Sequence, residues 1–207
     1  MKRLVFLILL LVVPLTAFGA TIEVAPGILL HVELPGDHWQ VSASPPETLV
    51  QETAAHLGQE MLSKAGKEDP AEVARDILSV NELFIVNAES GAWLAVDFSA
   101  LREGEPAPGR RAVKRSAAFA GQALQGEEGL SDVKHDIKNI RIPGAQYAYQ
   151  LEATYRRHDE PVLFCGVIGF AVRHWFYLYY TDFKRNPEDY REMKEILRSV
   201  SLQVERS

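Results

Sequence analysis

Two neighbouring segments near the carboxyl end of the chain constrain the fold more than any other feature. Residues 162–171 are apolar at both odd and even positions, and residues 173–181 nearly so. Strands with this pattern occur where a sheet is covered on both sides. The preceding segment, residues 147–157, is different, because most of its odd positions are apolar or aromatic and most of its even positions are polar. We therefore expect a sheet whose central strands lie between two covering layers.

Further strand patterns occur earlier in the chain. They cover residues 21–24, 28–34, 39–43, 83–87 and 92–101, and the last two are joined by a short glycine-containing loop typical of a hairpin. The apolar positions of residues 133–142 alternate in two phases, which predicts a bulge or a bend near Lys138 and Asn139.

Four helices are predicted between these strands. Ser44 and Glu47 fit a capping box before a helix that extends towards Gly66, and Asp69-Pro70 marks the start of a second helix. A third helix covers about residues 111–125, and Asn186-Pro187 begins the last one. The predicted fold class is α+β, with an antiparallel sheet sandwiched by helices (an α/β/α sandwich).

The amino-terminal segment is typical of a secretory signal peptide. Lys2 and Arg3 precede an uncharged apolar run of about 15 residues, and small residues follow at Ala17 and Gly19. We expect cleavage after Gly19, which leaves residues 20–207 as a single domain in the periplasm or outside the cell. The alternative is an uncleaved anchor, although the run is shorter than the roughly 20 residues of a membrane-spanning helix. No cysteine follows the cleavage site to carry a lipid, so no stable membrane anchor is expected after cleavage.

Charge excludes one class of partner. The chain has 22 basic and 28 acidic side chains, and loss of Lys2 and Arg3 changes the formal net charge from -6 to -8. Nucleic acids and anionic lipid surfaces are bound by clustered positive charge. An acidic exported domain is therefore not expected to bind this polyanionic class of partner, neither nucleic acid nor an anionic lipid surface.

The order of these elements, together with short apolar signatures, resembles the PsbP-like superfamily. This superfamily includes the extrinsic PsbP protein of photosystem II, a nuclear Ran-binding group and exported bacterial proteins of unknown role. The similarity extends from about residue 28 to residue 204 and is carried by residues 34–39, 147–157, 162–171, 175–180 and 196–200. It implies an antiparallel sheet sandwiched by helices that is used mostly for binding other proteins, and it carries no site residues across.

No catalytic motif was found after the leader. The sequence has no G-x-S-x-G, H-E-x-x-H, C-x-x-C, G-x-G-x-x-G or phosphate-binding loop. Cys165 lies in a segment with two apolar faces, where thiolate formation is disfavoured, so a buried structural cysteine is expected. The sequence therefore indicates a non-enzymatic protein without a cofactor, and a hydrolase is the minor alternative.

One set of residues has the spacing of a metal site. Glu52, His56 and Glu60 are four residues apart on the polar side of the first long helix, so a carboxylate, an imidazole and a second carboxylate would form one line. With one further ligand they could hold a divalent metal. The alternative is an ordinary solvated helix face.

A basic group is the second candidate. Arg110, Arg111, Lys114 and Arg115 lie at the start of the third helix, where cations meet the unfavourable positive end of the helix dipole. This position suggests binding to an acidic partner or to an anion. The alternative is pairing with nearby acids, namely Glu103, Glu105, Glu127 or Glu128.

The aromatic residues of the predicted sheet are the third candidate. They could line a groove for an apolar or carbohydrate ligand, or they could pack in the core beneath the helices; they are Tyr147, Tyr149, Tyr155, Trp175, Tyr177 and Tyr179. Trp39 is expected to fill one end of the core.

Two functional hypotheses remain. The leading one is a non-enzymatic accessory or protein-interaction module that contacts a protein partner in the cell envelope. The alternative is a periplasmic protein that binds a small ligand or a metal.

Overall fold

The computed structural model describes residues 18–55, 57, 62, 65–67, 69–127, 129–157, 159–182 and 186–204. The expected leader lies outside the described residues, except for Phe18 and Gly19, which begin the first strand. The candidate metal ligands His56 and Glu60 also lie outside them.

A seven-stranded antiparallel sheet forms the centre of the protein. Its order is β3-β4-β5-β9-β8-β7-β6. The strands are β3 (Trp39–Ser42), β4 (Leu83–Asn87), β5 (Trp93–Ala100), β6 (Leu130–Ile140), β7 (Tyr147–Arg157), β8 (Glu160–Ala171) and β9 (His174–Asp182). The two strands that are apolar on both faces, β8 and β9, are neighbours inside the sheet, as predicted.

A second, smaller sheet covers part of one face. Its order is β1-β2-β10, with β1 at Phe18–Ala25, β2 at Ile28–Leu34 and β10 at Ser201–Val204. The sequence analysis did not predict β10, which begins two residues after the last residue of α4.

Four helices connect the strands in the described part of the chain. They are α1 (Glu47–Ala55), α2 (Pro70–Leu78), α3 (Arg110–Gly126) and α4 (Pro187–Ser199). No helix among the described residues is long and apolar enough to cross a membrane. The predicted caps of α2 and α4 are present, since Asp69 accepts from the Ala71 N–H and Asn186 accepts from the Glu188 N–H.

The predicted capping box of α1 is wrong. The Glu47 carboxylate accepts hydrogen bonds from Gln51 on the same helix and from Arg75 on α2, so it ties the two helices together. A neighbouring helix supplies donors that the local sequence pattern does not show.

Each face of the large sheet has its own apolar layer. On one face, α1 and α2 cover Phe84 and Trp93, and α3 covers Tyr149 and Ile168. On the other face, α4 and the small sheet pack on the largest core cluster, whose side chains include Val32, Leu94, Val167, Leu178 and Ile196. The fold is therefore α+β with helices on both faces of an antiparallel sheet, as predicted.

The predicted bulge at Lys138 and Asn139 is wrong. These two residues pair regularly with Gln150 and Tyr149, and the register shift lies between Ser131 and Lys134. The two apolar phases have a different cause. Ile137 packs beneath α3 and Ile140 packs against the core on the opposite face, so both faces of this strand are partly buried.

Candidate functional site

Helix α3 combines one packed side with an unusually basic exposed side. Val113, Ala117 and Gly121 face the sheet and are buried. A Cβ at Gly121 would lie 2.6 Å from the His135 ring, so the absence of a side chain lets β6 approach the helix closely. The helix sequence contains four cationic residues and no acidic residue. Its exposed side is therefore positively charged on a protein that is acidic as a whole.

Arg110 is the one member of the basic group that the fold holds in place. Its Nε donates to the Tyr149 hydroxyl at 3.3 Å, and one of its terminal nitrogens donates to Asn139 Oδ1 at 3.1 Å. These bonds fix the first turn of α3 to β6 and β7. A structural role thus accounts for Arg110.

The other three cations, Arg111, Lys114 and Arg115, are exposed. Among the described residues, no carboxylate lies within ion-pair distance of any of them. Of the acids that could have neutralised them, Glu105 instead accepts from the Arg102 N–H. Glu128 lies outside the described residues.

An exposed aromatic residue lies on the same side of α3. Phe119 is 60% exposed, which is uncommon for a large apolar side chain. It follows Arg115 by one helical step of four residues, so the two side chains are neighbours on the helix surface. We call Arg111, Lys114, Arg115 and Phe119 the α3 surface.

The aromatic residues of the sheet divide into two groups. Tyr149 and Tyr155 are buried beneath α3 and belong to the core, and Tyr147 is partly buried beside them. Trp175 stacks on Tyr177 with ring centroids 6.5 Å apart, and Tyr179 packs edge-on against Trp93 while its hydroxyl donates to Asn81. Trp175 packs against the same cluster as Tyr149, whereas Tyr177 and Tyr179 lie where α3 leaves part of the sheet uncovered.

A cavity of about 330 Å³ occupies that uncovered part of the sheet. Gly166 of β8 forms its floor, because this residue has no side chain to fill the space. Ser116 and Ala120 of α3 form the wall on the helix side. Phe164, Tyr177 and Tyr179 complete the aromatic lining. Burial raises the pKa of both Tyr177 and Tyr179, so their hydroxyls stay neutral. We call this space the aromatic cavity.

Cys165 is fully buried on the opposite face of β8. Burial raises the pKa of its thiol to about 11, and the Gln150 amide donates to its sulfur at 3.4 Å. A thiol with this pKa is almost entirely protonated at neutral pH and is a poor nucleophile.

The metal hypothesis rests on a site that is only partly described. Glu52 is exposed on α1, whereas His56 and Glu60 fall outside the described residues. Within the described part of the chain, no group of three or more His, Cys, Asp or Glu side chains is arranged to hold a metal. The set Glu52, His56 and Glu60 stays a prediction.

Sequence reasoning missed a buried polar cluster beneath α4. The Trp39 indole donates to Glu192 Oε2 at 2.8 Å, and His38 Nε2 lies 2.9 Å from the same oxygen. One turn earlier, the buried Asp189 accepts from Asn87 and Ser90. Asp189 and Glu192 lie next to the apolar stripe of α4. Their burial is explained only by hydrogen-bond partners that are distant in the sequence, such as Trp39 and Asn87.

No protein-family model and no curated protein matches the sequence. Among solved structures, the cyanobacterial PsbP protein CyanoP from Synechocystis sp. PCC 6803 is 12% identical, with a TM-score of 0.47 and coverage of 91% of this chain and 94% of that chain. LpqN from Mycobacterium tuberculosis, described as involved in cell envelope biogenesis, is 10% identical, with a TM-score of 0.47 and coverage of 91% and 92%.

The protein of unknown function PA94 from Pseudomonas aeruginosa is also similar, with 12% identity, a TM-score of 0.39 and coverage of 91% of this chain and 98% of that chain. A PsbP protein is thus among the similar structures. Likeness at this level concerns the arrangement of elements, so function is argued from the surfaces of this chain alone.

Proposed function

We propose that this protein is an exported, non-catalytic accessory module that binds an acidic protein partner of the cell envelope through the α3 surface. The observation that carries the proposal is the composition of α3, which has four cations, no acid and an exposed phenylalanine. Such a surface is complementary to an acidic patch that includes an apolar side chain.

Two further features support this proposal. Three of the four cations have no carboxylate within ion-pair distance among the described residues, so their charge is available to a partner. The aromatic cavity also lies along α3 and could receive an apolar side chain of the partner. Aromatic and arginine side chains are the residue types that contribute most to protein interfaces.

The test is crosslinking followed by measured affinity. A photo-reactive residue at position 119 is used to capture partners from the envelope fraction of the source organism. The captured protein is then purified, and its affinity is measured against Arg111→Gln/Lys114→Gln/Arg115→Gln and Phe119→Ser. We expect at least tenfold weaker binding for the triple variant.

A matched triple variant controls for net charge. Lys134→Gln/Arg141→Gln/Arg198→Gln removes the same number of exposed cations away from α3. We expect this control to keep the affinity of the wild-type protein. An equal loss of affinity in both triple variants, or no loss of affinity in either, contradicts a specific role for the α3 surface in partner binding.

Small-ligand binding is the second candidate function, and the aromatic cavity favours it. Its volume of about 330 Å³ lies in the range of small-molecule sites. The neutral probe N-phenyl-1-naphthylamine should fluoresce in the wild-type protein and not in Ala120→Leu, which fills the cavity. Ala123→Leu, on the exposed side of the same helix, is the matched control and should leave the signal unchanged.

A further inference from the structure

A second cavity, of about 350 Å³, lies on the opposite face of the sheet, between β6, β7 and α4. Its polar lining comes from three elements and from the turn after β6, so it is formed only when the chain has folded. The polar side chains that line it are Lys138, Arg141, Gln150, Glu152, Lys194 and Arg198.

Glu152 engages the two lysines of this cavity. Its Oε2 lies 3.2 Å from the Lys138 ammonium, and its Oε1 lies 3.6 Å from the Lys194 ammonium. Gln150 also donates to Oε1 at 3.0 Å. The Lys138 ammonium also lies 3.4 Å from Asp136 Oδ2, so two carboxylates balance the two lysines.

The two arginines give the cavity its excess of positive charge. Within the described part of the chain, neither Arg141 nor Arg198 has an ion pair or a hydrogen bond through its guanidinium group. Arg198 is in the last turn of α4, where a cation interacts favourably with the helix dipole. Arg141 follows β6, and no comparable structural reason accounts for its position.

The remaining walls are apolar. Ile142, Val167 and Leu197 are buried residues that line the cavity, and Ile140 lies beside them. A ligand that fits this space has an anionic group at the arginines and a short apolar body against these side chains.

We propose that this cavity binds a phosphate group attached to a short apolar body. Guanidinium groups form paired hydrogen bonds with phosphate oxygens, and two of them lie on the same cavity here. The volume of about 350 Å³ suits a small organic molecule. The site is independent of the α3 surface, so either proposal can fail without the other.

Hexyl phosphate is the probe for this site, and titration calorimetry measures its binding to the full mature protein. We expect saturable binding that is at least tenfold weaker in Arg141→Gln/Arg198→Gln. The matched control Arg111→Gln/Arg115→Gln, which removes the same charge from α3, should bind like the wild type. Hexanol, which lacks the charge, should not bind.

A variant with the opposite expected effect excludes misfolding as the explanation. Glu152→Gln removes the carboxylate beside Lys194 and one of the two beside Lys138, and it should tighten hexyl phosphate binding severalfold. Absence of binding to the wild-type protein, or weaker binding by Glu152→Gln with its melting temperature unchanged, overturns the proposal.

Vesicles distinguish the two sources of such a ligand. Phosphatidylcholine vesicles with and without 20% phosphatidic acid are sedimented with the wild-type protein and with Arg141→Gln/Arg198→Gln. Sedimentation that requires phosphatidic acid and both arginines assigns the site to a lipid headgroup. Hexyl phosphate binding without sedimentation assigns it to a soluble organic phosphate.

Discussion

The carboxylate of Glu192 organises one end of the core at the scale of single residues. Its Oε2 accepts the Trp39 indole N–H and lies against His38 Nε2, so two aromatic side chains are held by one oxygen. Trp39 is 2% exposed and fills the end of the core, as the sequence predicted. Its polar partner could not be predicted, since Glu192 lies more than 150 positions away in the sequence.

This contact makes part of the stability dependent on pH. The hydrogen bond to Glu192 raises the pKa of His38 above its ordinary value of 6.5. Burial disfavours the charged form of Glu192, but the bonds from His38 and Trp39 lower its pKa below 4.5 overall. The stabilisation of the fold by the His38–Glu192 contact is therefore complete between about pH 4.5 and 6.5. It declines as pH rises through the raised pKa of His38, and it is also lost in acid as Glu192 is protonated.

His38→Gln tests this dependence. We expect the variant to melt about 2–4 °C below the wild type at pH 6, and this difference in melting temperature to shrink as pH rises through the raised pKa of His38. His31→Gln is the control, because in the part of the chain that the structure describes His31 contacts the Thr21 hydroxyl and no carboxylate. If the difference in melting temperature between His38→Gln and the wild type stays constant from pH 6 to pH 9, it contradicts a charged contact between His38 and Glu192.

At the scale of elements, the connection between β6 and β7 is joined to the last strand. The Leu202 N–H donates to the Pro143 carbonyl at 2.8 Å, which links this turn to β10. Gly144 has a φ of 83°, and a Cβ there would overlap the Leu202 carbonyl oxygen. The turn and β10 thus fit together only with glycine at this position.

Gly144→Ala should therefore destabilise the protein for two reasons. The positive φ alone costs about 1–2 kcal/mol for alanine, and displacement of β10 adds about 2 kcal/mol more. Gly104→Ala is the matched control, since the φ of Gly104 is 77° and no atom of the described residues lies within 4 Å of a Cβ placed there. Denaturant unfolding should separate the two variants, and equal free energies of unfolding would show that the contact with Leu202 is unimportant.

Elements with strong local signals were predicted with correct bounds or nearly so. Strand β7 begins and ends where its alternation does, and α2 and α4 begin after their predicted caps. The failures have a common cause, which is a partner from elsewhere in the chain. Glu47 binds Arg75 of α2 instead of forming a capping box. Strand β6 pairs regularly at the position of the predicted bulge, and its two apolar phases arise because both of its faces are packed.

At the scale of the whole molecule, the amino-terminal strand is compatible with the expected cleavage site. Phe18 and Gly19 pair with Leu34 and Glu33 at the end of β1. Of the residues of β1, cleavage after Gly19 removes only these two and retains Val24, which is buried. The small sheet should therefore persist in the mature protein.

Export can be tested in a bacterial host. The wild-type chain should accumulate outside the cytoplasm with Ala20 as its first residue, as measured by cell fractionation and mass spectrometry. Leu9→Arg/Leu10→Arg interrupts the apolar run and should keep the full-length chain in the cytoplasm, whereas Leu9→Ile/Leu10→Ile should not. A wild-type protein that retains its leader in the membrane fraction contradicts this interpretation.

The sequence by itself determined the fold class, the central position of β8 and β9, the starts of α2 and α4 and the burial of Cys165. Each of these depends on hydrophobic periodicity or on contacts between near neighbours in the chain, which a linear pattern records. The basic start of α3 was also visible, although only the structure separated Arg110, which bonds to the sheet, from three exposed cations.

Only the tertiary structure decided which side chains share a site. Lys138, Glu152 and Arg198 lie on three different elements, β6, β7 and α4, and none forms a motif with its sequence neighbours. The same holds for Ser116 on α3 and Tyr177 on β9 in the aromatic cavity. A cavity is the space that packed elements leave between them, so its lining depends on register and layer geometry rather than on local sequence pattern.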